Sequence, residues 1–395
     1  MIKKLLLVLV MLAVKSYGQQ KPVLIFDLTN DTLDSLEHVV FDTTVISSET
    51  KHNLGYFDTD IASLELDPPL SNLFPNSEFT LKKKVLDDFD PSDYPIRTTV
   101  KIFTEKEGVL IGNCSGSFIS RKHVLTAAHC ILGLNTDTLR INSINVCPVF
   151  DQGDFSPHFD CTYVSKVYSF KDWNIMHEDF ALLELEKPIG ESTGWIGIGF
   201  NDFDSALTDG IFYKFTYPSG ELPLLDSNTY NGDTLYYNYG KMNVVNTHSI
   251  GTSNAYGITG ESGSSLLKIV GEQSYTSYGV LSFSVDLIHS RLKRWQFYAL
   301  ENIIRDDLIL GKPRRGNGAD WIIYPNPTTG VVKLENLPWH KINEIKLYDS
   351  QGRTIRFDTY LLRETGLNIS HLVDGIYYLA LVTNEATEIR KIVKK

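Results

Sequence analysis

Three residues that are far apart in the chain carry side chains that together can cleave an acyl bond. His129 lies in the small, apolar stretch 126–130 (TAAHC), and an imidazole in such a setting can serve as a general base. Ser262, in 260–264 (GESGS), offers a hydroxyl between glycines that let the backbone turn sharply. Asp179 offers a carboxylate that can orient the imidazole. These residue types predict acyl transfer by a base-activated serine.

The order and spacing of the three residues strengthen this prediction. The gaps are 50 residues (179 − 129) and 83 residues (262 − 179), which suit two structural halves. Ser262 alone would be weak evidence, because its motif also occurs in ordinary loops. Asp179 alone could be a cap at the entry of a strand, although an acid at the mouth of a buried strand usually has a hydrogen-bond partner. Three neighbours of Asp179 are interpreted as solvated: His177, Glu178 and Glu184.

Short strands separated by polar turns are predicted to position these residues. They begin near Ile96 and include 98–103 (TTVKIF), 109–112 (VLIG) and 116–120 (GSFIS), which leads towards His129. Few helical patterns interrupt them, which is typical of an all-β barrel or sandwich. One amphipathic helix is predicted where apolar residues recur at intervals of three and four: Leu292, Trp295, Ala299 and Ile303.

Residues 1–18 are predicted to be a secretory signal peptide. Lys3 and Lys4 precede an apolar run over 5–14, and small residues follow, so cleavage is expected before Gln19. A membrane-spanning helix would need about 20 apolar residues, more than this run supplies. No later stretch is long and apolar enough to span a bilayer.

Residues 19–92 are predicted to be a propeptide. The segment is acidic at first, rich in Asp and Thr, and has no recognisable motif. The lysines of 82–84, followed by 85–88 (VLDD), have the character of an exposed, cleavable junction. An accessory region that is not cleaved is the alternative.

The overall composition limits the partners and cofactors. The chain has 395 residues, of which 42% are hydrophobic, enough for two or three domains with sizeable cores. Its net charge of −11 argues against nucleic acid or an anionic membrane surface as a main partner. The sequence has no Cys-x-x-Cys pair and no His-Glu-x-x-His spacing, so no metal or organic cofactor is implied.

Export would make the four cysteines candidates for disulfides. Four cysteines allow three pairings, and free thiols are the alternative. The cysteines are Cys114, Cys130, Cys147 and Cys161.

The last 75 residues, 321–395, are predicted to form a separate small β-sandwich. A flexible, basic linker (311–320) precedes it. One hairpin is expected over 345–356 around the turn 349–352 (DSQG), and a second over 375–393.

The segment from about residue 94 to residue 308 resembles a chymotrypsin-fold serine protease. The resemblance rests on the sequences around His129 and Ser262, with Asp179 between them. Further stretches are similar to bacterial glutamyl endopeptidase-like members of this trypsin-like family: 194–199 (GWIGIG), 217–218 (YP) and 278–284 (YGVLSFS).

The resemblance implies a mainly β domain (93–310) with two barrels and a C-terminal helix. It also implies a His129–Asp179–Ser262 triad that hydrolyses peptide bonds through an acyl-enzyme intermediate. The backbone N–H groups of Gly260 and Ser262 would form the oxyanion hole. A Cys114–Cys130 disulfide is favoured by the family pattern, and Cys147–Cys161 then follows by elimination.

Three departures from the family pattern concern activation and the nucleophile turn. No Ile-Val-Gly-Gly start lies near residue 95, so the familiar burial of a new amino terminus against an aspartate is not evident. Glu261 replaces that aspartate, directly before the nucleophile. Ser264 replaces the second glycine after the serine, as in the glutamyl-type relatives.

The specificity pocket is expected by family position at five residues: Tyr256, Thr259, Ser282, Ser284 and His248. The segment 254–259 (NAYGIT) contains no acid, so a strong preference for Lys or Arg is not expected. Ser284 replaces a frequent glycine on the pocket wall and would narrow it. His248 could bind an acidic substrate side chain, and a merely solvated histidine is the alternative.

The C-terminal unit resembles the sorting domain of type IX secretion substrates. The motifs are 324–327 (YPNP), 349–353 (DSQGR), 372–377 (LVDGIY) and 391–395 (KIVKK). The resemblance implies recognition by an outer-membrane translocon, followed by removal of the domain. The protein would then be secreted or held at the cell surface after Sec export and type IX secretion. An extracellular adhesion module is the alternative.

Taken together, the sequence predicts a secreted serine endopeptidase that acts on protein or peptide substrates. A catalytically silent protease homologue, used as a surface binding module, is the alternative from another class. The complete set of triad residues argues against it. Esterase activity at the same site is a third possibility, which only an assay distinguishes.

Overall fold

The computed structural model describes most of the chain in two compact units, Met1–Arg305 and Asp306–Lys395. The described residues are 21–36, 50–52, 55, 78–222, 226–270, 274–309, 322–335, 337, 339, 342–349, 353–357, 362, 366–383 and 387–395. The predicted signal peptide (1–18) and linker (311–320) lie outside them, as do much of the predicted propeptide and residues 350–352 of the predicted turn. Within the described residues, no helix has both the length and the apolar character needed to cross a membrane.

The N-terminal region contributes strands to the first unit. They are β1 (Val23–Asp27), β2 (Thr32–Leu36), β3 (Thr50–His52) and β4 (Lys83–Lys84). β1 and β2 form an antiparallel hairpin. Val23, Leu24 and Phe26 of β1 are buried, whereas β2 is largely exposed, so the hairpin is held by β1. The predicted propeptide therefore includes chain that packs on the rest of the unit.

Six antiparallel strands make a closed barrel. They are β5 (Thr99–Lys106), β6 (Val109–Phe118), β7 (His123–Thr126), β8 (Ser143–Pro148), β9 (Thr162–Phe170) and β10 (Ala181–Leu185). Their order is β10-β7-β6-β5-β8-β9, and pairing of β9 with β10 closes the ring. A two-residue turn, Glu107-Gly108, joins β5 to β6, and its positive φ values (52° and 76°) suit the twist of such a hairpin. β1 adds to the outside of this barrel by pairing with β9.

The second half of the unit is a curled sheet with a separate two-stranded hairpin. Its strands are β11 (Gly197–Asn201), β12 (Phe212–Thr216), β13 (Ser219–Leu222), β14 (Asp226–Asn231), β15 (Tyr236–Gly240), β16 (Val244–Val245), β17 (Ser249–Gly251), β18 (Ser265–Val270), β19 (Ser274–Phe283) and β20 (Ile288–Arg291). The main order is β16-β17-β20-β19-β18-β12-β15-β4, so the predicted propeptide supplies its last strand. β11 pairs with β19 and β3, and β13 pairs with β14 alone. A closed barrel followed by a curled sheet confirms the predicted chymotrypsin-like fold.

Helices are short except for the one that ends the unit. They are α1 (Gly190–Thr193), α2 (Asp204–Thr208) and α3 (Arg294–Ile309), with 3₁₀ turns at Val85–Asp87, Ile96–Thr98, Ala128–Cys130 and Val285–Leu287. The predicted amphipathic helix is confirmed as α3. Its buried apolar side chains include Phe297, Ala299, Leu300 and Ile304. Trp295, one of the predicted positions, packs its ring on Phe170 at 4.8 Å between centroids.

The C-terminal unit consists of two sheets around one core, as predicted. Its strands are β21 (Ile322–Tyr324), β22 (Val331–Glu335), β23 (Ile342–Asp349), β24 (Thr354–Ile355), β25 (Leu367–Asn368), β26 (Gly375–Thr383) and β27 (Thr387–Lys394). One sheet has the order β21-β22-β25 and the other β24-β23-β26-β27. Buried residues of both sheets, such as Val332, Leu347 and Leu379, share a single apolar cluster. Both expected hairpins form, as β23–β24 and β26–β27.

Both disulfides are present, and both lie in the closed barrel. Cys114 pairs with Cys130 and Cys147 pairs with Cys161, as the family pattern implies. The Cys114–Cys130 bond joins β6 to the 3₁₀ turn Ala128–Cys130, which carries His129. The cross-link therefore fixes the backbone that carries the His129 side chain.

Candidate active site

Two hydrogen bonds join His129 to Asp179. The backbone N–H of His129 donates to Asp179 Oδ1 at 2.9 Å, and the ring Nδ1 lies 2.7 Å from Oδ2. Asp179 is fully buried, whereas the His129 side chain is 18% exposed. A carboxylate at Nδ1 fixes the proton there and leaves Nε2 free to accept a proton. Asp179 is therefore hydrogen-bonded to both the backbone and the ring of His129 and is more than a strand cap.

Two strands of the curled sheet also bind Asp179, although Asp179 itself precedes β10 of the closed barrel. The Ser282 hydroxyl of β19 donates a close hydrogen bond to Asp179 Oδ2 and lies 2.7 Å from the Ile175 carbonyl oxygen. Ser290 Oγ of β20 accepts the Asp179 backbone N–H at 3.2 Å. The two halves of the unit thus meet at the carboxylate.

The position of Ser282 corrects its predicted role. The sequence analysis places Ser282 in the specificity pocket, but its side chain is buried and its hydroxyl is engaged by Asp179. It therefore acts on the carboxylate and is not available to a substrate. Family position locates this strand correctly, but alternation along a strand decides which way each side chain points.

Ser262 lies in a turn that is hydrogen-bonded to both halves of the unit. Ser115 of β6 donates its backbone N–H to the Ser262 carbonyl and its hydroxyl to the Gly260 carbonyl, each at 2.8 Å. On the other side, the Gly263 N–H donates to the Leu281 carbonyl of β19 at 2.8 Å. Ser262 is half-buried, whereas the nearby Ser264 is completely buried. Ser262 is thus the more accessible hydroxyl.

Gly263 brings the serine turn against the chain that leads to His129. A Cβ placed on Gly263 would lie 2.0 Å from Thr126 Oγ1 and 2.8 Å from the Ala127 nitrogen. It would also lie 2.4 Å from the Ser115 carbonyl oxygen. Only a glycine allows this approach, because it has no Cβ and adopts the observed φ of +81° without strain. This agrees with the sequence prediction that the glycines beside Ser262 let the backbone turn sharply.

Replacing Gly263 by alanine is expected to lower the free energy of unfolding by about 3 kcal/mol or more, through backbone strain and overpacking. Gly108→Ala is the matched control, since Gly108 has a similar φ of +76° and nothing within 4 Å of an added Cβ. The control should lose only about 1 kcal/mol. Urea unfolding measures both variants. Equal losses would contradict the close approach at Gly263.

The two amides predicted for the oxyanion hole flank Glu261. In the described part of the chain, neither the Gly260 nor the Ser262 N–H donates a hydrogen bond. Gly260 has φ +85°, and a Cβ there would lie 2.3 Å from the Tyr217 carbonyl oxygen. Their role as an oxyanion hole stays a prediction.

Glu261, the residue that departs from the family pattern, is fully buried between two lysines. Lys214 of β12 makes a close ion pair with Oε2, and Lys82 Nζ lies 3.1 Å from Oε1. Burial, reinforced by Lys82, lowers the pKa of Lys214 to about 8, although Glu261 opposes the shift. Neither lysine was singled out by the sequence analysis as a partner of Glu261.

Glu178 is not a solvated neighbour of Asp179, contrary to the sequence analysis. Its side chain is 7% exposed and lies 2.8 Å from Lys21 Nζ and 3.0 Å from Lys293 Nζ. Burial would raise the pKa of Glu178, but hydrogen bonds from these two lysines hold it below its ordinary value. Lys21 belongs to the predicted propeptide, so this region contacts the residue next to Asp179.

His248 lies in the same cluster of charges. Its Nδ1 is 3.1 Å from Lys293 Nζ, and its ring stacks on His177 at 4.0 Å between centroids. Partial burial, together with Lys293 and His177, lowers the pKa of His248. The role of His248 in binding an acidic substrate side chain stays a prediction.

The other predicted pocket residues lie on two loops that are tied together. The Gly257 N–H, next to Tyr256, donates to the Ser284 carbonyl at 2.8 Å. Thr259 and Ser284 are exposed, and Tyr256 is half-buried. Their role in substrate selection stays a prediction.

His289 of β20 is a buried histidine that the sequence analysis did not single out. Burial, together with nearby Lys214, lowers its pKa from 6.5 to about 3. Because the unfolded chain binds a proton more tightly than the folded one, stability should fall as the pH drops below about 6.5, by up to about 1.4 kcal/mol per pH unit.

The His289→Gln variant is expected to lose this contribution to the acid dependence. Urea unfolding at pH 7 and pH 5 should show a smaller difference in the variant than in the wild type. His158→Gln, at an exposed histidine, should keep the wild-type difference. If the difference in the free energy of unfolding between pH 7 and pH 5 were the same in His289→Gln as in the wild type, His289 would be excluded as a source of the acid dependence.

Comparison with known families assigns the two units. A family model described as Trypsin matches residues 88–299, which is more than half of the chain. The chain therefore belongs to the trypsin family, as the resemblance predicts. A second model, described as Secretion system C-terminal sorting domain, matches residues 322–395 and confirms the predicted sorting domain. That domain indicates type IX secretion to the cell surface or the extracellular space.

Individual relatives are distant. Serine protease 23 of Homo sapiens is 28% identical over 158 residues, covering 31% of this chain and 39% of the human protein. The chain thus spans about two fifths of the length of that relative. Protease Anisep from Arthrobacter nicotinovorans is 19% identical with a TM-score of 0.40, covering 50% of this chain and 90% of that one. A Glu endopeptidase structure is 17% identical with a TM-score of 0.44, covering 59% and 98%.

Proposed function

We propose that this protein is a secreted serine endopeptidase that cleaves peptide bonds with Ser262 as nucleophile, His129 as base and Asp179 as the group that orients the base. The observation that carries the proposal is the double contact of the buried Asp179 carboxylate with the backbone and the ring of His129. Membership of the trypsin family supports it independently.

In the acylation step, the Ser262 oxygen attacks the substrate carbonyl carbon while its proton passes to His129 Nε2. The carbonyl π bond breaks and leaves a negative oxygen, to which the Gly260 and Ser262 N–H groups donate. The C–N bond then breaks as His129 returns the proton to the leaving amine. The product is an ester between Ser262 and the acyl part of the substrate.

In the deacylation step, water takes the place of the amine. The water oxygen attacks the ester carbon while His129 accepts a proton from the water. That proton then passes to the Ser262 oxygen as the ester C–O bond breaks. Asp179 stabilises the imidazolium in both steps. The Ser282 hydroxyl and the His129 amide hold the carboxylate, so it needs no reorganisation during the reaction.

The C-terminal unit supports an extracellular site of action. We place the protease domain at 93–310 and the sorting domain at 321–395, and infer that the latter is recognised by the type IX secretion machinery. Protein and peptide substrates would then be met outside the cell.

A fluorophosphonate probe tests the proposal directly. Secreted protein is incubated with the probe, digested, and searched by mass spectrometry for the modified residue. A covalent adduct on Ser262 that forms on native but not on denatured protein is expected. The absence of an adduct, or modification of Ser264 in its place, would contradict the assignment and favour a catalytically silent homologue.

Matched peptide and ester substrates separate the protease from an esterase. Fluorogenic peptides ending in Glu, Arg and Phe should be cleaved by the native protein. Fastest cleavage after Arg would contradict the interpretation that the pocket carries no acid. Turnover of esters alone would identify an esterase.

A further inference from the structure

The carboxylate directly before the nucleophile has two cationic partners. Glu261 is completely buried, as is Lys214, and the Lys82 side chain is 7% exposed. Burying an unpaired carboxylate costs several kcal/mol, so Glu261 needs at least one cation. Lys214 comes from within the curled sheet, but Lys82 comes from the predicted propeptide.

Glu261 also fixes the backbone that forms the proposed oxyanion hole. Its Oε1 accepts the Ile258 N–H at 3.0 Å, and its own N–H donates to the Ile258 carbonyl at 3.2 Å. Its carbonyl accepts the Ser264 N–H at 3.0 Å. Because Gly260 and Ser262 are its chain neighbours, a shift of the Glu261 side chain would redirect both hole amides.

Lys82 is held in place as part of the curled sheet. The Thr80 N–H donates to the Tyr239 carbonyl at 2.9 Å, and the Val85 N–H donates to the Leu235 carbonyl at 3.0 Å. Between them, β4 pairs with β15. Phe79 and Val85 are buried. The segment 78–85 is therefore packed against, and hydrogen-bonded to, the second half of the unit.

The ammonium of Lys82 connects its own segment to the serine turn and to the loop that contains Tyr256. Besides Glu261, it contacts the Tyr256 carbonyl at 3.1 Å, in the loop predicted to line the pocket. The adjacent Lys83 points elsewhere, since its side chain is 60% exposed and lies 3.5 Å from Asp88. The two neighbouring lysines thus form a natural matched pair.

We propose that Lys82 and Lys214 are positioning residues which hold Glu261 and, through it, the oxyanion-hole amides. The active enzyme therefore retains Lys82. It needs no newly formed amino terminus to pair with Glu261. The inference rests on the proposed function. It places any maturation cleavage before Glu78, upstream of the junction predicted at 82–84. Cleavage after Lys82 would leave its ammonium on a separate peptide.

Methionine substitutions test the positioning role. Lys82→Met keeps the length of the apolar stem and removes the charge, and it should lower kcat about tenfold or more with little change in KM, as misplacement of catalytic groups does. Lys83→Met should stay within about twofold of wild type, since a surface ion pair contributes little. Lys82→Arg should restore most of the loss. Wild-type kcat in a folded Lys82→Met protein would overturn the inference.

A double-variant comparison separates positioning from a general structural effect. If Lys82 acts through Glu261, Lys82→Met should change kcat little in a Glu261→Gln background. An equal loss in both backgrounds would overturn the coupling.

Even if Lys82→Met does not fold, the amino terminus of the active wild-type molecules tests whether the active enzyme retains Lys82. Secreted wild-type protein is labelled with the fluorophosphonate, denatured, isolated by the label, and sequenced from its amino terminus. The labelled chains should begin upstream of Glu78. Labelled chains that begin after Lys82 would overturn this inference and leave the proposed function intact. No label on any chain would overturn the proposed function, and this inference with it.

Discussion

Replacing Ser262 by alanine is expected to reduce kcat for peptide hydrolysis by about 10⁶-fold, with KM changed little. The alanine removes the only atom that can form the acyl intermediate, while the Gly260 and Ser262 amides remain. The residual rate would come from those amides and from substrate binding. Initial rates with a fluorogenic peptide, at enzyme concentrations verified by absorbance, measure the change.

Ser264→Ala is the matched control for Ser262→Ala. Ser264 lies two residues away in the same turn and is completely buried. Its hydroxyl takes no part in the proposed reaction, so kcat should remain within about tenfold of wild type, as for a modest change in packing. A larger loss in Ser264→Ala than in Ser262→Ala would exclude Ser262 as the nucleophile.

The Asp179→Asn variant should lose about 10⁴-fold in kcat while keeping its fold. Every group around the carboxylate side chain is a donor: the His129 N–H, the His129 Nδ1–H and the Ser282 hydroxyl. An amide has only one acceptor oxygen, so its NH₂ group must face one of these donors. If it faces Nδ1, that nitrogen becomes the acceptor and Nε2 carries the proton, and His129 can no longer accept a proton from Ser262.

Glu178→Gln separates this effect from a general loss of negative charge. Glu178 adjoins Asp179 but binds Lys21 and Lys293 and makes no contact with His129 among the described residues. The variant should lower thermal stability, since it leaves two lysines without their partner, and change kcat less than tenfold or so. Comparable losses of kcat in Glu178→Gln and Asp179→Asn would contradict the specific role of Asp179.

Local sequence was enough to predict the protease family and the fold. The TAAHC stretch is a strong signal by itself, whereas the serine turn and the intervening aspartate gain their weight from their order and spacing along the chain. The strands near them were also predictable, because their apolar residues recur with the period of a strand. The disulfides followed from the family pattern, since four cysteines alone leave three pairings.

The interactions around the site depended on long-range packing. Lys82 and Glu261 are 179 residues apart (261 − 82), and nothing in either local sequence indicates the other. A run of lysines usually lies on the surface, which is why 82–84 was interpreted as an exposed junction. Lys83 fits that interpretation and Lys82 does not. The two lysines are adjacent and face opposite ways, and only the packing of their segment against β15 decides which of them faces inward.

The N-terminal hairpin illustrates the same limit. β1 and β2 come from a segment without motifs, and β2 is largely exposed. An edge strand needs few apolar residues, so its sequence resembles that of a loop. Among the strands that the structure describes, β2 pairs only with β1, and β1 in turn pairs with β9, which begins more than a hundred residues later.

Because the Asp179 carboxylate is held by His129 from one half and by Ser282 from the other, turnover should depend on the contact between the two halves. A small parting of the barrel from the curled sheet would free the acid from Ser282 without exposing either apolar core. Such sub-global opening needs less free energy than complete unfolding. The upper temperature of activity would then be set by the contact between the halves and would lie below the melting temperature.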